Sequence, residues 1–168
     1  MPSNDSGAFD LIRIFDALES VAYIVIGGVA ATLHGSPRLT FDLEIVPDRS
    51  GENVSRLAQG LVSLEATLRQ PRGGEVTARL LQESANSTVG GQLRLRTRYG
   101  PVDVIWRLHD GRGFDELAPL TVTLSDRERT LSVIDIEPLI EIKRVVGRRQ
   151  DTQDVENLEI VLARRKDR

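Results

Sequence analysis

The stretch from Ile24 to Val46 constrains the fold of this chain more than any other part of the sequence. The residues Val21–Ile26 are almost wholly apolar and β-branched, which is typical of a buried strand. Gly27-Gly28 ends this strand, and a short alanine-rich helix is expected over Val29–His34. A second strand follows over Phe41–Val46. The stretch therefore predicts two strands of a sheet that are joined through a glycine turn and a short helix.

Two carboxylates, Asp42 and Glu44, are two residues apart near the start of the second predicted strand. Side chains at positions i and i+2 of a strand point to the same face, so both are expected to project together beside the Gly27-Gly28 turn. Bare glycine backbone lets phosphate oxygens reach N–H groups at a helix N-terminus. Carboxylate oxygens are the ligands that hard divalent cations prefer. The pattern predicts a site for Mg²⁺ or Mn²⁺ with a nucleoside triphosphate.

The remaining chain alternates helical and strand patterns. The strand-rich part carries two predicted hairpins, one over 92–106 and one over 120–134, and two helices follow it, over 136–146 and from Asp151 onward. Residues 75–83 fit either a helix or a broken strand. This order predicts an α+β fold, a mixed β-sheet flanked by helices, in a single domain over 1–168 with frayed ends at 1–6 and 164–168.

Composition excludes several classes of function. The net charge of -3 gives no general attraction to nucleic acid or anionic membranes, so any polyanion site must be a local basic patch. The absence of cysteine excludes a disulfide framework, a thiolate zinc site and a cysteine nucleophile. The N-terminal residues lack the pattern of a signal peptide, and no apolar run approaches the ~20 residues of a membrane span. We expect a cytoplasmic protein with no membrane partner.

Ile26-Gly27-Gly28, a spacer of thirteen residues and Asp42-Leu43-Glu44-Ile45 resemble the signature of the DNA polymerase β-like nucleotidyltransferase superfamily. The intervening His34-Gly35 and Arg38-x-Thr40 are similar to its small bacterial branch, which includes antibiotic-adenylylating enzymes and the nucleotidyltransferase toxins of toxin–antitoxin and abortive-infection systems. Gly100–Ile105 is similar to the segment that brings the third carboxylate of the superfamily. The resemblance implies a nucleotidyltransferase-like fold.

The same resemblance implies that a nucleoside monophosphate is moved from a nucleoside triphosphate to an acceptor hydroxyl, with Mg²⁺ or Mn²⁺ as cofactor. It gives Asp42, Glu44 and Asp103 the catalytic and metal-binding roles, with Asp103 also activating the hydroxyl. The nucleotide contacts that it implies are Gly27, Gly28, Arg38, Thr40 and Lys143, with Arg148 and Arg149 as further candidates for phosphate. The acceptor stays open between RNA, a protein and a small molecule, and a cognate antitoxin is a candidate partner.

Two other functions remain open on the sequence. Relatives in the small bacterial branch more often have Asp where this chain has Glu44, so an inactive nucleotide- or partner-binding module on the same fold is an alternative. Arg94, Arg96 and Arg98 alternate along a predicted strand and share one face. That face is either solvated or binds RNA.

Overall fold

A mixed sheet of seven strands forms the centre of the molecule in a computed structural model, which describes residues 9–70, 73–87, 91–126 and 129–167. The order across the sheet is β3-β4-β5-β2-β1-β7-β6. In chain order the strands are β1 (Tyr23–Ile26), β2 (Leu43–Pro47), β3 (Thr67–Leu68), β4 (Gln92–Thr97), β5 (Gly100–Ile105), β6 (Thr121–Asp126) and β7 (Arg129–Ile134).

The helices lie before, between and after these strands in the chain. They are α1 (Leu11–Ala17), α2 (Gly27–His34), α3 (Gly51–Ser63), α4 (Ala78–Asn86), α5 (Phe114–Leu117), α6 (Ile136–Val146) and α7 (Arg149–Lys166), with a 3-10 turn at Ala118–Leu120. The α+β prediction is confirmed, and both predicted hairpins form, as β4–β5 and β6–β7. No helix in the described ranges has the length and apolar character to span a bilayer.

Strand pairing explains why the sheet is mixed. β2 pairs antiparallel with β1 on one side and parallel with β5 on the other. β1 also pairs in parallel with β7. Leu43, Ile45, Val102 and Val104 are fully buried on one face of the central strands, as their alternation predicts. The opposite face of β2 and β5 therefore carries Glu44 and Asp103.

Several predicted boundaries were wrong. Asp42 precedes β2 instead of lying in it, because the ladder with β1 stops at Glu44, opposite Ile26, and the ladder with β5 stops at Leu43, opposite Val102. Gly27 and Gly28 are the first residues of α2, not a separate turn. The ambiguous stretch over 75–83 contains the start of α4 at Ala78, capped by the side chain of Thr77.

The structure describes the chain from residue 9 at its N-terminal end to residue 167 at its C-terminal end. The last helix begins at Arg149, two residues before the predicted cap Asp151, and it stays helical through Lys166, within the end that was predicted to fray. Basic residues in its last turn complement the helix dipole. The predicted frayed residues 1–6 lie outside the described part of the chain.

Candidate active site

A continuous row of side chains crosses four neighbouring strands, β1, β2, β5 and β4, and continues to the residue that follows β3 at the edge of the sheet. Ile26 is paired with Glu44, Glu44 with Asp103, and Asp103 with Arg94. The row continues to Arg69 just after β3, whose backbone N–H donates to the Arg94 carbonyl at 2.8 Å. Residues paired in this way have their side chains on the same face. Two carboxylates and two guanidinium groups therefore lie in sequence on one face of the sheet.

Asp42 reaches the same site from the loop before β2. The hydroxyl of Thr40 donates to its Oδ1 at 3.1 Å. Thr40 in turn packs against Gly28, where an added methyl group would approach the Thr40 Oγ1 to 2.6 Å. The loop is thus held by contacts behind the carboxylate, so Asp42 can face the cleft although it lies outside the strand.

Glycine at position 27 makes room for the carboxylate of Glu44. Gly27 has a φ of +68°, which favours glycine, and a methyl group at this position would overlap the Glu44 carboxylate. The two glycines of the motif therefore have distinct neighbours, Glu44 for Gly27 and Thr40 for Gly28. At both positions the absence of a side chain lets another side chain of the protein approach the backbone closely.

An open cleft of about 870 Å³ lies over this face of the sheet. Six of the predicted site residues line it, namely Gly27, Asp42, Glu44, Asp103, Lys143 and Arg148. The other four predicted nucleotide or phosphate contacts, Gly28, Arg38, Thr40 and Arg149, are not among its lining residues. Its remaining walls carry basic groups on both sides of the carboxylates and an apolar surface from Leu139, Ile142, Val145 and Val146 on α6.

The carboxylates disfavour one another's charge. Burial raises the pKa of Glu44 above its ordinary value, and the charge of Asp42 raises it further, against opposing effects of Lys143 and Arg148. Burial and Asp42 likewise raise the pKa of Asp103, which is 5% exposed. A bound cation would relieve this repulsion.

Lys143 and Arg38 are joined through one buried carboxylate. Asp154, which is fully buried, accepts from Lys143 Nζ at 2.6 Å and from Arg38 Nε at 2.5 Å. The side chain of Lys143 is 5% exposed and that of Arg38 is 29% exposed. Both cations are therefore already bound to a carboxylate within the protein, at the boundary between α6, α7 and the loop that carries Asp42.

A second acidic residue of α7 holds Arg148 at the cleft. Asp151 accepts from Arg148 Nε at 2.9 Å and lies 3.6 Å from Lys143 Nζ. Burial raises the pKa of Asp151, but the hydrogen bond and charge of Arg148 outweigh this effect and leave the pKa below its ordinary value. The Arg148 side chain remains 55% exposed, so it is oriented by Asp151 and still accessible to a ligand.

Sequence reasoning missed several polar residues of the cleft. Gln92 donates to Asp103 Oδ2 at 3.0 Å, and Arg69, Arg94 and Arg107 line the cleft wall. Arg94 was identified only as part of a strand face, without its relation to Asp103. The hairpin turn at Tyr99 could have revealed it, because a two-residue connection from Thr97 to Gly100 places Arg94 opposite Asp103. No local pattern marks Arg69.

The carboxylate group fits a divalent cation in its chemistry. Within the described ranges, Asp103 Oδ1 is buried and has no hydrogen-bond partner, so it is available as a ligand. No three acidic or histidine side chains of the described chain already form a compact metal-binding group. A bound cation would thus complete the site, because its ligands are not already arranged around one point.

Known structures share this fold at low sequence identity. No family model matches the sequence, and no curated protein matches it. Against the lincomycin-bound structure of the lincosamide antibiotic adenylyltransferase LnuA, the TM-score is 0.61 at 16% identity, covering 90% of this chain and 95% of that one. Against a protein from Thermotoga maritima described as a nucleotidyltransferase, it is 0.54 at 20% identity, covering 94% and 91%. The chain has a nucleotidyltransferase-like fold.

Proposed function

We propose that this chain is a metal-dependent nucleotidyltransferase, which moves a nucleoside monophosphate from a nucleoside triphosphate to a hydroxyl group of an acceptor. The observation that carries the proposal is the pairing of Glu44 with Asp103 on adjacent strands, in an open cleft that Asp42 also lines. The fold shared with an adenylyltransferase supports it. Cytoplasmic location remains part of the same proposal.

Asp42, Glu44 and Asp103 would hold Mg²⁺ or Mn²⁺. The bound cation supplies positive charge that neutralises the transferring phosphoryl group. Two features support this assignment: the free Asp103 Oδ1 among the described residues, and the raised pKa of Glu44, since both carboxylates gain from a nearby positive charge. The longer side chain of Glu44 is accommodated by the space over Gly27.

Residues around the carboxylates would bind and orient the nucleotide. Arg148 offers an exposed guanidinium that Asp151 has already oriented, which suits it to a phosphate group. Lys143 contributes positive potential from the cleft wall while it remains bound to Asp154. Gly28, Arg38 and Thr40 do not line the cleft and would act indirectly, through the loop that carries Asp42. Thr40 hydrogen-bonds Asp42 and packs on Gly28.

Asp103 is the proposed acceptor of the hydroxyl proton. It lies beside Glu44 in the cleft, and a carboxylate can accept the proton of a hydroxyl group that it contacts. The hydrogen bond from Gln92 to Oδ2 orients the group and leaves Oδ1 directed elsewhere. Proton uptake and orientation of the attacking hydroxyl are thus assigned to one residue.

The test is direct transfer of label. The full chain is incubated with Mg²⁺ or Mn²⁺, each α-labelled nucleoside triphosphate, and total RNA, cell lysate or lincomycin as the acceptor. We expect labelled product that needs the metal and that disappears in Asp42→Asn. Absence of product with every acceptor, metal and nucleotide would refute the proposal. Because the resemblance extends to toxins, the lysate arm also reports a protein acceptor or a cognate antitoxin that blocks transfer.

A second candidate is a nucleotide-binding module without turnover on the same fold. The incomplete metal-binding group among the described residues favours it. Calorimetry separates the two functions. Nucleotide binding that persists in Asp103→Asn, together with no transfer by the unaltered protein, would establish the module.

A further inference from the structure

The two edges of the sheet differ in how the chain protects them. At one edge, β3 has two residues, and its outer side is closed because Leu68 N–H donates to the Gly74 carbonyl at 3.0 Å and Thr67 forms a bridge with Glu75. At the other edge, β6 has six residues, and within the described ranges it pairs with β7 alone. Free N–H and C=O groups along a sheet edge can pair with a strand of another chain. A further strand can therefore be added to the sheet at β6.

Alternate residues of β6 direct their backbone groups away from β7. Just before the strand, Asp135 N–H donates to the Leu120 carbonyl at 2.9 Å, so these two residues form a hydrogen-bonded pair. Hydrogen-bonded pairs alternate with the other kind along an antiparallel ladder, so the backbone groups of Val122 and Leu124 also point to β7. The intervening residues point their backbone groups outward, at the free edge, namely Thr121, Thr123 and Ser125.

The outward edge of β6 lacks the usual features that keep strands of different molecules apart. The segment Thr121–Ser125 contains no charged residue and no proline, although the whole chain has a net charge of -3. Thr123 and Ser125 are exposed, and Val122 and Leu124 are only partly buried against the core. Two copies of the chain can therefore approach each other along this segment without bringing like charges together.

We propose that two copies of this chain associate through β6, which pairs antiparallel with β6 of the second copy about a two-fold axis at Thr123. In this register Thr123 of each copy lies opposite Thr123 of the other, and Thr121 lies opposite Ser125 of the second copy. The outward backbone groups of both strands then form hydrogen-bonded pairs. Val122 lies opposite Leu124 of the second copy in a pair without backbone hydrogen bonds, where opposed side chains are closest. This register aligns the uncharged segments of the two copies over their full length.

The pairing is self-complementary on both faces of the sheet. On the core side, the contact between Val122 and Leu124 occurs twice and extends the apolar surface of Val133 and Leu131, their partners in β7. On the other side, hydroxyl side chains of threonine and serine meet, a combination that stabilises antiparallel sheets. The two-fold axis makes the interface use the same surface on both copies. Since the outer side of β3 is closed, association should stop at the dimer.

Sedimentation velocity over a concentration series measures association of the full chain. We expect a dimer at the upper concentrations. Thr123→Lys places two positive charges opposite each other across the axis, so the dissociation constant of the dimer should rise by about tenfold or more. Thr67→Lys is the matched control, because it places the same charge on an exposed residue of the other edge strand and should leave the constant unchanged. A monomer at every concentration, or equal effects of the two variants, would overturn the proposal.

Cysteine cross-linking tests the register, because the chain has no cysteine of its own. Opposed Cα atoms of a hydrogen-bonded antiparallel pair are about 5.5 Å apart, within the range of a disulfide. With copper phenanthroline as oxidant, Thr123→Cys should form a covalent dimer, whereas Thr67→Cys should stay monomeric. Thr123→Pro removes an outward N–H and spares the ladder with β7, so it should abolish the dimer of the otherwise unaltered chain. Equal cross-linking at the two positions, or a dimer that survives Thr123→Pro, would overturn the proposal.

Discussion

Two groups of cations flank the same carboxylates, and the protein treats them in opposite ways. Lys143, at the cleft wall, and Arg38, outside the cleft, are both bound to the fully buried Asp154. Arg69 and Arg94 lie in the open cleft, where they influence Asp103 without forming an ion pair with a described residue. Positive charge near the site therefore has two uses. A cation bound to a buried carboxylate holds elements together, whereas an unpaired cation is available for a ligand.

The largest expected effect comes from the buried group. Asp154→Asn leaves Lys143 and Arg38 without their shared carboxylate, so the free energy of unfolding should fall by about 3–5 kcal/mol. Urea unfolding measures it. Glu83→Gln is the control, since it breaks an exposed pair with Arg79 and should change stability by less than about 0.5 kcal/mol. Equal effects of the two variants would contradict the structural role of Asp154.

The charge of Glu44 should lower the stability of the folded protein and be needed for its activity. Glu44→Gln removes a buried charge that lies close to Asp42, so the unfolding temperature should rise at neutral pH. Nucleotidyl transfer should fall by about 10²–10³-fold. Mg²⁺ should stabilise the unaltered protein more than the variant. A variant that is both less stable and fully active would contradict the assignment of Glu44.

A substitution at Gly27 tests how closely the Glu44 carboxylate packs against the start of α2. Gly27→Ala places a methyl group over the Glu44 carboxylate at a positive φ, so the strain of about 1–2 kcal/mol should come with loss of transfer. Gly73→Ala has a similar φ of +64° but no atom within 4 Å of the added methyl group. It should share the backbone strain and retain activity. Equal activity losses would show that overlap with Glu44 is not the cause.

The smallest expected effect is a pH dependence within the buried region. His34 Nε2 donates to the Ile134 carbonyl at 2.7 Å, and its Nδ1 faces Arg165 at 3.3 Å. Burial lowers the pKa of His34, so the unfolded chain takes up a proton before the folded one. Stability should therefore decrease as the pH falls below about 6.5. His34→Gln should reduce this decrease, and an unchanged pH dependence of urea unfolding would contradict it.

Much of the fold follows from local patterns in the sequence. The apolar run before Gly27 and the two hairpins were predictable, because each depends on residues close together in the chain. The boundary at Asp42 was not, since β2 begins where its pairing with β5 and β1 begins, at Leu43 and Glu44, and the length of β1 is limited by the start of α2. The three named carboxylates did reach one cleft, as the strand alternation of Glu44 and Asp103 indicated.

Each charged residue of a strand has its charge and its strand face from its own position in the chain, so both can be predicted from the sequence. Which charges meet depends on the tertiary structure, because the order of strands in a sheet is not set locally. It aligned Glu44 with Asp103 and Arg94 across three strands, brought Arg69 beside them, and bound Lys143 to Asp154. Burial then separated the cations bound to Asp154 from the exposed Arg69 and Arg94, a distinction that depends on solvent exposure and that no residue pattern contains.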